Sequence, residues 1–212
     1  MSPTIELQTD DKIVFIGDSI TDAERHRRAY APLGLGYVHF VGNTLLARHP
    51  QLNLDLLNTG VSGDTLPDMA NRWERDCLAH RPNVLSVLIG INDVWRSVME
   101  PHREASSPKQ YEVTYDQLLL RAKGHCHCQI VLMEPFLFCG DRHDAVFQTL
   151  LPYLEIVRTL ASKHNAVLVP LQERINEQVT QVPPAQWSQD TVHPHLWAHA
   201  WIAQRWLEAT GL

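Results

Sequence analysis

Five short runs of apolar and β-branched residues punctuate the chain, at 12–16, 54–58, 84–89, 129–133 and 166–169. Runs of this length with little polar alternation predict strands buried on both faces. Between them, segments 37–48, 66–80, 112–123, 145–164 and 171–179 place apolar residues three and four apart, the period of amphipathic helices. A last helix is predicted from Pro194 to Glu208, where Trp197, Ala200, Trp201, Ala203, Trp206 and Leu207 supply the apolar groups. Strands alternating with helices predict an α/β fold whose parallel sheet carries helices on both faces. The connection 97–111, with Pro101, Ser106, Ser107 and Pro108, is predicted as a mobile loop. No repeat, linker or low-complexity tract interrupts the pattern, so residues 1–212 are expected to form one domain.

In an open parallel sheet, ligands bind beyond the carboxyl ends of the strands. The polar segments that break the apolar pattern fall there. Gly17-Asp18-Ser19-Ile20 follows the first strand, residues 60–64 the second, and Gly90-Ile91-Asn92-Asp93 the third. A further polar segment, Asp190-Thr191-Val192-His193-Pro194, precedes the last helix.

These residue types suit acyl transfer. A serine hydroxyl is a weak nucleophile and requires a base, commonly histidine, whose tautomer a carboxylate fixes. Ser19 is the candidate nucleophile; among twelve histidines His193 is the candidate base, with Asp190 three residues before it as orienting acid. An oxyanion needs preorganised donors. The backbone N–H groups of Ser19 and Gly63 and the side-chain amide of Asn92 are the candidates. Each segment alone also fits a plainer account: Ser19 and Asp190 as helix caps, His193 in a first helical turn, Asn92-Asp93 as a turn after a strand. Their joint placement at one sheet edge favours the catalytic reading.

Composition narrows the class further. The hydrophobic share is 44% and the charged share 20%, ordinary values for a globular protein. A net charge of −6 gives no general attraction to nucleic acid or anionic lipid. No apolar run approaches the roughly 20 residues that span a bilayer, and the N-terminus lacks the basic head and apolar core of a signal peptide. A cytoplasmic location is expected, with Cys77, Cys126, Cys128 and Cys139 as free thiols. The cluster His125-Cys126-His127-Cys128 lies within one short turn, unlike the paired ligands of structural zinc, and is read as a loop entering a strand. No metal site is assigned.

The ordered blocks Gly-Asp-Ser-Ile, Gly63, Gly-x-Asn-Asp and Asp-x-x-His resemble the SGNH (GDSL) hydrolases over essentially the whole chain, the four letters falling on Ser19, Gly63, Asn92 and His193. The resemblance implies a flavodoxin-like three-layer α/β/α sandwich with a five-stranded parallel sheet. It also implies ester hydrolysis through an acyl-serine intermediate, without metal or cofactor. The string Ile16 to Ala23, the segment Met133-Glu134-Pro135-Phe136 and Asp190-x-Val192-His193-Pro194 resemble the branch of intracellular carbohydrate acetylesterases, of which acetyl xylan esterases are the nearest. A small acetylated substrate of xylo-oligosaccharide type is therefore expected. Glu24 departs from that branch, where a glycine is common.

Asp18, Trp95 and Trp187 are the candidate substrate-binding residues; flat rings stack on pyranose faces, although both tryptophans also suit a core or an interface. Trp187, Trp197, Trp201 and Trp206 concentrate in the C-terminal quarter, which suits a subunit interface and predicts a homo-oligomer. The basic run Arg25-His26-Arg27-Arg28 is expected to be a solvated surface loop. Two alternatives stand beside the acetylesterase: a thioesterase or lysophospholipase of the same fold acting on longer acyl chains, and a non-catalytic carbohydrate-binding protein. A nucleotide-binding reading is weaker, because the first loop lacks a glycine-rich phosphate motif.

Overall fold

Strand β1 (Lys12–Gly17) is apolar after its first residue, and Ile13 to Ile16 are fully buried. It therefore takes a central place in the sheet. The computed structural model, which describes residues 3–25, 31–100, 102, 103 and 105–212, sets it between β2 (Asp55–Asn58) and β3 (Val84–Leu88). β4 (Gln129–Met133) and β5 (Val167–Val169) complete a sheet of order β2-β1-β3-β4-β5, with every pair parallel. Chain order reverses at β1: the connection after it runs to β2 on one side, and the next crosses from β2 past β1 to β3 on the other. A crevice opens at such a switch point, beyond the carboxyl ends of β1 and β3.

In chain order the α-helices are α1 (Ser19–Asp22), α2 (Tyr37–Arg48), α3 (Leu66–Asn71), α4 (Trp73–Asp76), α5 (Ile91–Met99), α6 (Pro108–Cys126), α7 (Ala145–Lys163), α8 (Leu171–Gln178), α9 (Pro184–Trp187) and α10 (Leu196–Thr210). Helices α2 and α10 pack together on one face of the sheet. There Phe15 and Ser86, paired in register, both meet Trp206: the rings of Phe15 and Trp206 lie 5.7 Å apart, and the indole Nε1 donates to Ser86 Oγ at 3.0 Å. The other face is covered by α3, α5, α6 and α7, packed in a chain of pairs. The three-layer α/β/α sandwich is thus observed.

Two predicted elements differ, and a helix appears that was not predicted. The single helix over 66–80 is broken into α3, α4 and a 3₁₀ turn at Leu78–His80. The break falls at Arg72, whose buried guanidinium donates inward to Thr59 O (2.6 Å) and Gly17 O (2.9 Å) and also binds Asp64 and Asp76. That helix, α5, removes the plainer account of Asn92-Asp93 as a turn: Asp93 is buried in its first turn, its carboxylate accepting from the backbone N–H groups of Leu66 and Ser106. The loop expected over 97–111 consequently shrinks to 100–107, with Ser107 capping α6 by accepting from Gln110 N.

The tryptophans do not form one exposed stripe. Trp187 and Trp206 belong to the core, Trp201 is half-buried, and only Trp197 is well exposed. Of the basic run, Arg25 alone lies within the described residues; it is half-buried and donates to the carbonyls of Asn58 and Gly60 rather than projecting into solvent. Cys126 and His127 end α6, and Cys128 is buried ahead of β4. Among the described residues no group of three or more His, Cys, Asp or Glu side chains is placed to hold a metal, and no helix is long and apolar enough to cross a membrane.

Candidate active site

The nucleophile segment starts where β1 and β3 crowd. A Cβ on Gly17 would fall 2.1 Å from Leu88 O, so only glycine fits there. The next residue, Asp18, caps α1: its Oδ1 accepts from Ile20 N at 3.0 Å. Ser19 then occupies the first helical position, where its own N–H has no intrahelical acceptor. The segment is anchored from beneath. Asn58 donates to Thr21 O at 2.6 Å, and Arg72 holds Gly17 O.

Asp18 is 1% exposed, and its Oδ2 is buried without a hydrogen-bond partner. Burial pushes its carboxyl up to about 7, against the lowering effect of the Ile20 N–H and of His193. The expectation that Asp18 binds substrate is not met: it lies under Ser19 and lines no cavity beside it.

The opposite wall is built by the segment 188–194. Ser188 and Pro194 form an antiparallel bridge, and His195 N donates to Trp187 O at 2.8 Å, closing the segment on itself. Inside it, Asp190 Oδ1 accepts from Val192 N (3.0 Å), His193 N (2.8 Å) and Ser188 Oγ (3.0 Å), while Oδ2 lies 2.6 Å from His193 Nδ1. Turning the chain this tightly places Thr191 at φ +68°, a strained region for a β-branched residue. Partial burial raises the Asp190 pKa, but the hydrogen bonds from His193, Val192 and Ser188 prevail and hold it well below the ordinary carboxylate range. It is ionised at neutral pH and can stabilise a protonated imidazole.

Ser19 Oγ stands 2.9 Å from His193 Nε2. With Nδ1 donating to Asp190, Nε2 carries the lone pair, and the pair can pass a proton. Ser19, Gly63, Asn92 and His193 line one cleft of about 860 Å³, together with Ile20, Ala23, Glu24, Leu35, Ser62, Pro194, Leu196 and His199. Gly63 takes φ +85° and meets nothing within 4 Å on its side-chain side, so its backbone is open to a ligand. Asn92 Nδ2 donates to Asp64 O at 2.9 Å, which orients the amide and leaves its second N–H for an oxyanion.

Trp95 lines a second cavity of about 210 Å³ with Ile91, Asn92, Asp190, Val192 and His193. Trp187 lies elsewhere. It is 2% exposed, stacked on Phe138 at 5.5 Å, with its Nε1 donating to Val182 O, so it is a core residue and not a wall of the site.

Three supporting residues escape the sequence reading. Arg72 ties the end of β1 to Thr59 and Asp64. Arg96 Nη2 donates to Gly63 O at 2.6 Å, and its Nη1 to Asp68 at 3.3 Å. One turn separates Asn92 from Arg96 on α5, so one helix face grips two successive carbonyls of the Gly63 loop; that i, i+4 spacing was the available signal. His199 lines the cleft from the first turn of α10, with no signal beyond its position six residues after His193.

The chain is similar to known proteins of one family. Residues 15–201 match the GDSL-like lipase/acylhydrolase family. An acetylxylan esterase of Geobacillus stearothermophilus is 35% identical over 98% of this chain and 97% of its own length. The crystal structure of that esterase superimposes with a TM-score of 0.93, at 35% identity, covering 98% of this chain and 97% of the other. The structure of an alpha/beta hydrolase enzyme from the metagenome of Lake Arreo, Spain, gives 0.90 at 35% identity, covering 97% of each chain. A variant of the Geobacillus protein is described as an acetyl-xylooligosaccharide esterase.

Proposed function

We propose that this chain, which belongs to the GDSL-like lipase/acylhydrolase family, removes acetyl groups from small acetylated carbohydrates of the xylo-oligosaccharide type. The contact that carries the catalytic part of this reading is Ser19 Oγ to His193 Nε2 at 2.9 Å, with Asp190 behind the ring at 2.6 Å. Ser19 attacks the ester carbonyl while His193 accepts its proton, and Asp190 balances the resulting imidazolium. The oxyanion is met by the N–H groups of Ser19 and Gly63 and by the free amide N–H of Asn92, each such donor being worth about 3–4 kcal/mol in the transition state. His193 then protonates the leaving alcohol. Water, deprotonated by the same histidine, releases acetate from acetyl-Ser19.

The substrate part draws on two supports. The relatives above carry acetylxylan and acetyl-xylooligosaccharide esterase names. Two cavities of unequal size also meet at His193: about 210 Å³ beside Trp95 suits a short acyl group, and about 860 Å³ beside Leu35 and Leu196 suits the larger alcohol. The second reading reverses these roles. Leu35 and Leu196, 48% and 62% exposed at the mouth of the larger cleft, would welcome a long acyl chain as in a thioesterase or lysophospholipase. The remaining alternative, a carbohydrate-binding protein without catalysis, leaves the aligned Ser19–His193–Asp190 contacts without a purpose.

Initial rates on p-nitrophenyl esters from two to sixteen carbons, beside acetate release from acetylated xylo-oligosaccharides, separate these readings. Acetyl esters should be cleaved fastest, with the sugar ester preferred and all activity lost in Ser19→Ala. A preference for chains of eight carbons or more would replace the acetylesterase by the long-chain enzyme.

A further inference from the structure

The catalytic scheme uses one of two histidines in the cleft. The other, His199, is 8% exposed and wedged against the start of α2. Gly36 makes room for it: a Cβ there would lie 3.0 Å from both Nδ1 and Cε1 of the ring. Tyr37 N, the first N–H of α2, donates to His199 Nδ1 at 3.2 Å.

That single bond decides the state of the ring. A backbone N–H can only donate, so Nδ1 must carry its lone pair and the proton of the neutral ring must sit on Nε2. The imidazolium would set N–H against N–H at the positive end of a twelve-residue helix. Burial pushes the His199 pKa down to about 4, and the neighbouring His193 pushes in the same direction. Nε2 has no acceptor among the described residues and is not among the fully buried polar atoms. The ring lines the cavity that also holds Ser19, Ser62 and His193, and Nε2–H, on the side of the ring away from the Tyr37 contact, is the donor left for it.

We infer that His199 is a specificity-determining residue whose Nε2–H donates to a hydroxyl oxygen adjacent to the scissile ester, on the alcohol half of the substrate. His193 changes protonation during turnover, whereas His199 presents a permanent neutral donor beside it. A polyol ester would satisfy that donor; a plain alkyl ester would leave a desolvated N–H unpaired, and sites built in this way reject the analogue lacking the partner. The inference rests on the ester-hydrolase reading, and makes the alcohol a feature that the enzyme senses directly.

The test compares glycerol monoacetate with propyl acetate, which has the same carbon chain without hydroxyls. The wild type should favour the hydroxylated ester in kcat/KM. His199→Asn retains an oxygen to accept from Tyr37 N but loses the distal N–H. It should cut that preference at least about tenfold, mostly through KM, with the loss concentrated on the hydroxylated ester. His199→Gln, whose amide reaches further, should restore part of it. Equal losses on both esters, no change on either, or no wild-type preference would overturn the inference. Long-range ¹H–¹⁵N spectra of the wild type give a check that does not depend on a variant folding: the His199 ring should be neutral and protonated on Nε2 from pH 5.5 to 8, and an Nδ1–H tautomer or an imidazolium would also overturn it. Failure of the carbohydrate reading looks different. In that case the wild type would still prefer glycerol monoacetate to propyl acetate but would cleave acetylated xylo-oligosaccharides poorly.

Discussion

Two aspartates flank the proposed reacting pair, Asp18 one residue before Ser19 and Asp190 three before His193, and their environments drive them in opposite directions. Asp18 is fully enclosed, accepts one backbone N–H and leaves its other oxygen unpartnered; its pKa rises to about 7. Asp190 has a side chain 53% exposed and accepts from two backbone N–H groups, a serine hydroxyl and an imidazole; its pKa falls. Burial acts upward on both carboxyls, so the number of donors, not depth alone, decides the sign.

The same contrast separates their segments. The Ser19 turn is fastened from elsewhere in the fold by Asn58 and Arg72, whereas the 188–194 segment is held largely by its own backbone, a short bridge and the Phe138 N–H on Thr191 O. The proposed nucleophile is therefore placed by the sheet, and the proposed base by a local loop.

Removing the reacting atom gives the largest effect. Ser19→Ala should lower kcat by about 10⁵- to 10⁶-fold with little change in thermal stability, measured by acetate release and calorimetry; a residual rate within a hundredfold of wild type would mean that another group attacks. Asp190→Asn should cost about 10⁴-fold, because the amide no longer selects the tautomer with a free Nε2. A mere tenfold loss would show that the loop backbone alone orients His193.

Asp18 should govern stability instead. Its folded carboxyl keeps a proton up to about pH 7, while the unfolded carboxyl releases it near 3.9. The folded state holds more protons across that window, so wild-type stability should fall as pH rises through it, by on the order of 3 kcal/mol. Asp93, raised to about 6 by burial, adds to the slope, so Asp18→Asn should reduce it by the Asp18 contribution, with the variant melting above wild type at pH 8; parallel melting curves from pH 4.5 to 8 would refute the assignment. Asp190 works in the opposite sense: its depressed pKa favours folding above the unfolded value and is lost only as pH falls below about 4.

The smallest effects concern strain. Glu24 at φ +58° follows the Ser19 turn and Thr191 at φ +68° lies inside the base loop. Glycine at either site relieves strain but frees the unfolded chain, so each replacement should stabilise by up to about 1 kcal/mol. Only Thr191→Gly should also lower kcat, since only that turn aims the carboxylate proposed to orient His193. Equal kinetic losses in both variants would erase the distinction between the segments.

Much of the architecture was readable along the chain. β1, β3 and β4 end within a residue of their predicted limits, because strands buried on both faces are nearly pure apolar runs. Ser19, Gly63, Asn92, Asp190 and His193 stood out because each belongs to a short local pattern beside a strand end or before a helix. What failed was non-local. Nothing in the periodicity of 66–80 signals that Arg72 turns inward to hold Gly17 and Thr59, breaking the helix. Asn92-Asp93 resembles a turn until Asp93 is seen accepting from Leu66 and Ser106. Trp187 sits three residues from Asp190 yet points into the core against Phe138.

The alternation of strand and helix and the candidate positions of nucleophile, acid and base were legible along the chain, since apolar period and short-range turn chemistry act between neighbours. The 2.9 Å meeting of Ser19 with His193 across 174 positions, the grip of Arg96 on Gly63 and the tautomer of His199 came only with the folded chain. Those depend on which buried donor faces which acceptor, and hydrogen bonds form between atoms brought within about 3 Å by the packing of the whole chain, wherever they stand along it.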